Sequence, residues 1–150
     1  RQTMELLEPF RFRLPIAIRY GDMDTLGHVN NAKYLTYVEQ ARISYIRELA
    51  LWSGGVSELG LIVARIECDY KLPLTMDDGE AIVYQRVTRM GTKSFDIEFV
   101  ITRKDVSGET VAAQGKVVLV VYDYNHNTSV TMPEDWRAKI VAYEPAMRAK

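Results

Sequence analysis

The sequence predicts an α+β fold: an antiparallel sheet of about five strands wrapped around one long central helix, with a short C-terminal helix. Three observations carry this. One long apolar helical stripe, Tyr34 to Trp52, stands in the first third of the 150-residue chain. Alternating stretches rich in β-branched and aromatic residues stand before and after it. The turns between the later stretches are too short for anything but antiparallel pairing. Helix and strands are segregated along the chain, so the apolar helix has to be covered by the sheet.

From Phe10 to Tyr20 the chain alternates, with Phe10, Phe12, Leu14, Ile16, Ile18 and Tyr20 on one face and Arg11, Arg13 and Arg19 on the other. That is a half-buried strand. Pro15 has no N–H for a ladder and places it near an edge or at a bulge. After a turn at Leu26 and Gly27, Asn30 or Asn31 caps the helix. Its stripe is Tyr34, Val38, Ala41, Tyr45, Leu49 and Trp52. Leu35, Ile43 and Ile46 widen it enough to bury the helix on more than one side, and Gly54 and Gly55 end it. Ala64 to Leu72 alternates again, and Asp78-Gly79 turns the chain. Ala81 to Met90 is the next strand, broken by Gly91. Phe95, Ile97, Phe99 and Ile101 then alternate against Asp96, Glu98 and Thr102, up to a turn at Ser107-Gly108. Val111 to Tyr122 becomes apolar on both faces, as a strand covered on both sides does. Thr131 with Glu134 makes a capping box, and Pro133 suits the first turn of a helix over about 133–144.

The length fits one domain spanning 1–150, with a core over about 10–123. A chain this long buries roughly 68–70% of its unfolded surface and holds a core without staples. The net charge of −1 supplies no global field for nucleic acid or an anionic membrane, so an anionic ligand needs a local Lys/Arg cluster. There is no apolar run long enough for a membrane span and no visible secretory signal. Cys68 is the only cysteine, so no internal disulfide forms, which is compatible with a cytoplasmic location. His28 and His126 are the only histidines, too few for a metal site of the zinc-finger type.

The run from Asp24 to Arg42 carries the chemistry. A carboxylate at the end of a strand is followed by a Gly turn and then a helix start. The first N–H groups of a helix are unpaired and carry about half a positive charge. Aimed at a developing oxyanion, one such donor contributes roughly 2.7–4 kcal/mol. Asp24 therefore stands where it can act as general base or as nucleophile in acyl chemistry. Its other reading is a turn former before Gly27.

These residues resemble a known family. Asp22-Met23-Asp24-Thr25-Leu26-Gly27-His28-Val29-Asn30-Asn31, with Tyr34, Tyr37, Glu39 and Arg42, is similar to the hotdog-fold acyl-CoA thioesterases of the 4-hydroxybenzoyl-CoA thioesterase type. Asp69-Tyr70-Lys71-Leu72-Pro73-Leu74 resembles the family's second strand and its exit. Arg89-Met90-Gly91-Thr92-Lys93-Ser94-Phe95 resembles its Gly-x-x-Ser hairpin. After Gly27 the chain has His28-Val29-Asn30-Asn31 where the 4-hydroxybenzoyl enzymes are apolar and aromatic, a version closer to the general and long-chain acyl-CoA branch.

The resemblance implies a thioester hydrolase without metal or cofactor, acting on acyl-CoA. It implies a homodimer or homotetramer with active sites at the subunit interface. Asp24 matches the catalytic aspartate, and Asn31 sits where a backbone N–H meets the thioester carbonyl. His28 is either a substrate-facing base or donor, or a turn-stabilising residue. Substrate is expected against Asn30, Tyr34, Arg89, Thr92, Lys93 and Ser94, with Lys71 and Lys116 as further scattered cations. Tyr37, Tyr45 and Trp52 line core or acyl pocket. Asp22 reads as structural. Glu39, eight positions beyond Asn31 and about 12 Å along the helix, reads as an ion pair with Arg42 rather than a rival base. The same fold also serves acyl carrier protein thioesterases, non-catalytic acyl-CoA-binding modules and dehydratases.

Overall fold

The computed structural model describes residues 2–51 and 59–149. The strands are β1 (Phe12–Ala17), β2 (Leu59–Tyr70), β3 (Glu80–Met90), β4 (Ser94–Asp105), β5 (Gly108–Asp123) and β6 (Thr128–Ser129). The helices are α1 (Gln2–Leu7), α2 (Asn31–Glu48) and α3 (Glu134–Tyr143). The sheet runs β1-β3-β4-β5-β2, with β6 beside β5 and every pairing antiparallel. It is a hotdog fold: one long helix laid across a curled antiparallel sheet.

Alternation in the strands decides which face meets the helix. Val83, Val87, Phe95, Ile97, Phe99, Ile101, Val117 and Leu119 join Tyr34, Tyr37, Val38, Ala41, Tyr45, Ile46 and Leu49 of α2 in one core. Gln85 also points in, and its side-chain N–H donates to the Val38 carbonyl at 2.9 Å. On the opposite face, Phe10, Ile82, Tyr84 and Val100 form a smaller cluster with Leu6 and Leu7 of α1. Gly115 is where β5 crosses closest: a Cβ there would stand 1.9 Å from the Glu67 carbonyl oxygen.

Pro15 lies on an edge strand, as its missing N–H requires. Other expectations need correcting. Tyr20 leaves the strand for a 3-10 turn, Tyr20–Asp22, and is 86% exposed. Helix α2 ends at Glu48 rather than at the glycines, because Ala50 itself takes the left-handed conformation at φ 60° and Leu51 N–H donates back to Ile46 O at 3.2 Å. Trp52, Gly54 and Gly55 lie outside the described residues. Ile43 is exposed, so that side of α2 is uncovered within one chain. Strand β2 starts five residues before Ala64, through an apolar run with no alternation to mark it. The capping box at Thr131 does not form. Pro133 is itself the N-cap of α3, and the preceding Met132 N–H is spent on the Thr92 carbonyl at 2.9 Å.

The C-terminal segment is tied to the core by Glu144, which accepts from the buried Tyr45 hydroxyl. That same hydroxyl oxygen accepts from Val87 N–H at 2.9 Å. Burial pushes the Glu144 carboxyl up.

Candidate active site

Between β1 and α2 the chain folds into a loop held by its own backbone. Asp24 N–H donates to His28 O at 2.7 Å, and Gly27 N–H to Asp24 O at 3.3 Å. Gly27 has φ 83°, which a side chain would strain. Met23 and Val29 pair as an isolated bridge at the neck of the loop. Val29 N–H reaches Leu74 O at 2.8 Å and Asn30 N–H reaches Asp22 O at 2.9 Å, which fixes the loop to the rest of the fold.

The two carboxylates of this loop are held differently. Asp22 is 2% exposed and accepts from Tyr37 Oη at 2.6 Å and from Arg19 N–H at 3.0 Å. Burial works to raise its carboxyl, but the Tyr37 and Arg19 hydrogen bonds and the Arg19 and Lys33 charges outweigh it and hold the group below the usual range. Asp24 is exposed, and one oxygen, Oδ1, accepts from Leu26 N–H at 2.8 Å and His28 N–H at 3.1 Å. Those bonds, His28's first, hold its carboxyl below the ordinary value. Its Oδ2 is bonded to nothing among the described residues. Asp24 is thus an ionised carboxylate at neutral pH with one oxygen free.

The helix start completes the arrangement. Asn30 is the N-cap, its side-chain oxygen accepting from Ala32 N–H at 2.9 Å and its carbonyl from Lys33 N–H at 2.8 Å. The Asn31 N–H is left without a partner among the described residues. Asp24, His28, Asn31, Tyr34, Tyr70 and Lys71 line one cleft of about 230 Å³. Asp24 also borders a larger, open cleft of about 750 Å³ with Tyr20, Met23 and Met76. A residue with a free carboxylate oxygen and a residue with an unpaired helix N–H, lining one cleft, are the parts needed to activate an attacking oxygen and to hold an oxyanion.

A family model described as the thioesterase-like superfamily matches residues 18–140. The chain belongs to that superfamily. It is 29% identical to the Escherichia coli acyl-CoA thioester hydrolase YbgC over 115 residues, covering 73% of this chain and 80% of that one. It is 27% identical to the uncharacterized Bacillus subtilis protein YsmA over 126 residues, 84% of this chain and 82% of the other. A Thermus thermophilus thioesterase, solved with coenzyme A and zinc, superposes with a TM-score of 0.78 at 36% identity, over 92% of this chain and 98% of that one. Thioester hydrolysis is the chemistry of the superfamily, and this chain is a thioester hydrolase.

Asp24, His28, Asn31 and Tyr34 are brought together at the cleft, while Asn30 stands beside it with its side-chain oxygen committed to the cap. Arg89, Thr92, Lys93 and Ser94 are not with them in one chain. The Asp24 loop follows β1, whose last residue Ala17 pairs with Glu80 at the start of β3, whereas Gly91 follows the end of β3. At about 3.3 Å per residue the strand separates them by roughly 30–35 Å. There Arg89 holds Ser94 Oγ and Asp96 Oδ1, each at 2.9 Å, and Arg137 of α3 donates to the Gly91 carbonyl. Lys116, 3.9 Å from both Glu67 and Asp96, lies in the charge row on the outer face of the sheet. Glu39, itself exposed, pairs at 3.8 Å with the mostly covered Arg42 one turn along α2.

Sequence reasoning missed Tyr70 as a site residue. It alternates with the charged residues of the Ala64–Leu72 stretch, but nothing local indicates that the helix start meets it.

Proposed function

We propose that this chain is an acyl-CoA thioesterase, converting acyl-CoA and water to the free acid and coenzyme A. The observation that carries the reading is that Asp24, with Oδ2 free among the described residues, and Asn31, with its N–H unpaired among them, line one cleft. The thioester carbonyl sits with its oxygen toward Asn31 N–H, which stabilises the charge as the carbon becomes tetrahedral. Asp24 either takes a proton from the attacking water or attacks directly to give a mixed anhydride that water then opens. On either route the C–S bond breaks and coenzyme A leaves as a thiolate that takes up a proton. His28 lines the same cleft and supplies a donor or acceptor to substrate.

Asn30, Tyr34, Arg89, Thr92, Lys93 and Ser94 complete the substrate site in a homodimer or homotetramer. The length of β3, roughly 30–35 Å between the Gly91 hairpin and the end where the Asp24 loop begins, supports an arrangement in which a second chain supplies one or the other. The names of two relatives support the substrate class: one is an acyl-CoA thioester hydrolase, and one was solved with coenzyme A. No helix among the described residues is long and apolar enough to cross a membrane. A cytoplasmic location agrees with the single cysteine.

Thiol release from a panel of acyl-CoAs, aromatic and aliphatic, tests the reading. The wild-type chain is expected to turn over at least one of them, and Asp24→Ala none at a comparable rate. A wild type inert on the whole panel, including one that hydrolyses only acyl carrier protein thioesters or binds acyl-CoA without turnover, refutes acyl-CoA hydrolysis.

A further inference from the structure

The oxyanion donor is a backbone group, so its aim depends on whatever holds the first residue of α2. The cap at Asn30 bonds Ala32 and Lys33; its carbonyl, in the same peptide plane as the Asn31 N–H, steadies that plane from one side and leaves the Asn31 carbonyl, in the next plane, to another partner. Among the described residues, the side chain that bonds Asn31 belongs to another element: Tyr70, at the end of β2, donates its phenolic O–H to the Asn31 carbonyl at 3.1 Å. A carbonyl oxygen has two lone pairs, so this bond adds to whatever the helix asks of it. The Tyr70 ring stands edge-on against Tyr34, one turn along α2, at 5.1 Å between centroids. Tyr34 in turn donates its hydroxyl to Leu72 O at 3.0 Å. Two tyrosines, 36 residues apart in sequence, thus lace the first turn of the helix to the exit of β2, and both line the cleft that holds Asp24.

We infer that Tyr70 is a positioning residue for thioester hydrolysis, its phenol fixing the Asn31 residue so that the Asn31 N–H points at the reacting carbonyl. The inference rests on the thioesterase reading. Tyr70 is 43% exposed and, among the described residues, packs against one aromatic ring; its O–H also meets the Cys68 thiol, a weak partner whose loss costs the core little. Removing that O–H loosens the donor in the transition state without taking away surface that binds the ground state. A displacement of an ångström or less at a reacting group is enough to slow a reaction by an order of magnitude or more.

The test is Tyr70→Phe in the full chain, which keeps the ring against Tyr34 and deletes only the hydroxyl. Steady-state hydrolysis of the best acyl-CoA is expected to show kcat down by about five- to tenfold, the range one hydrogen bond covers, with KM within about twofold. The amide resonances of Asn31 and Ala32 should shift, while Tm moves by less than ~2 °C. If wild type and variant hydrolyse the substrate at equal kcat, or if the loss lies wholly in KM, the positioning role is overturned and the thioesterase reading stands. If the wild type hydrolyses no acyl-CoA, it is the thioesterase reading that fails. Unchanged Asn31 and Ala32 resonances in a slowed variant also overturn the inference, because the hydroxyl would then be acting elsewhere.

Discussion

Asp22 and Asp24 stand two residues apart, yet their surroundings assign them opposite work. Asp22 is buried, and its carboxylate is committed to Tyr37, Arg19 and Lys33. Asp24 is exposed, tethered through one oxygen and free at the other. Both are held below the ordinary carboxylate range, so a lowered pKa does not distinguish them. What does is the number of partners on the oxygens. A carboxylate with every oxygen engaged holds a loop in place, while one with an oxygen to spare can take a proton or attack a carbon.

Exchanging the two roles is the strongest way to break this comparison. Asp24→Asn keeps the amide acceptor for Leu26 and His28 but removes the charge. Its kcat/KM for acyl-CoA is expected to fall by about 10²–10⁴-fold, with Tm little changed, since the group is fully exposed. Thiol release and a thermal melt on the same sample check both halves. A variant that loses stability rather than rate would make Asp24 a turn former and nothing more.

Asp22→Ala should do the reverse. It leaves the Tyr37 hydroxyl and Arg19 N–H without their acceptor, at a cost of roughly 3 kcal/mol read from urea denaturation. Whatever stays folded should retain most of its kcat, because Asp22 faces the core and lines neither cleft bordering Asp24.

The same pair sets a pH dependence. The folded Asp22 carboxyl titrates below its unfolded value of about 3.9, so the unfolded chain takes up the proton first. Its contribution to stability is therefore complete above about pH 4 and is lost as pH falls through the lower folded value. Asp22→Asn should flatten that acid limb of the stability profile. On the role proposed for Asp24, kcat/KM should show no loss from a titrating carboxylate between neutral pH and about 4, since this one is held lower still. A general base titrating near pH 6 would assign the role to another group.

How much of this was legible in the sequence follows from how local each bond is. The Asp24 turn, the left-handed Gly27 and the Asn30 cap are all made within four residues, and residue type alone announces them. The sheet was legible because alternation and short turns leave few pairings open. Tyr70 on Asn31 joins residues 39 apart and depends on where the end of β2 meets α2, which no local pattern encodes. The end of α2 was misplaced for a related reason: Ala50 occupies a left-handed position that glycine usually advertises, so the reading ran on to Gly54. Helix α1 is short and exists by packing Leu6 and Leu7 on the Phe10 cluster, a tertiary effect.

The smallest expected effect belongs to the rival carboxylate, Glu39. Its side chain is 65% exposed and meets Arg42 at 3.8 Å, the Arg42 side chain being only 12% exposed. A long i, i+3 contact whose carboxylate is solvated contributes about 0.3–0.5 kcal/mol. Glu39 stands about 12 Å along the helix from the Asn31 N–H, too far to share a carbonyl with it within one chain. Glu39→Gln is therefore expected to change stability by no more than about 0.5 kcal/mol and to leave kcat within about twofold. Measured beside Asp24→Asn under the same conditions, it separates a carboxylate that helps hold a helix surface from the one proposed to do chemistry. A large loss of kcat in Glu39→Gln with the fold intact would move the base from the loop to the helix, and would require a second chain to bring Glu39 to the oxyanion donor.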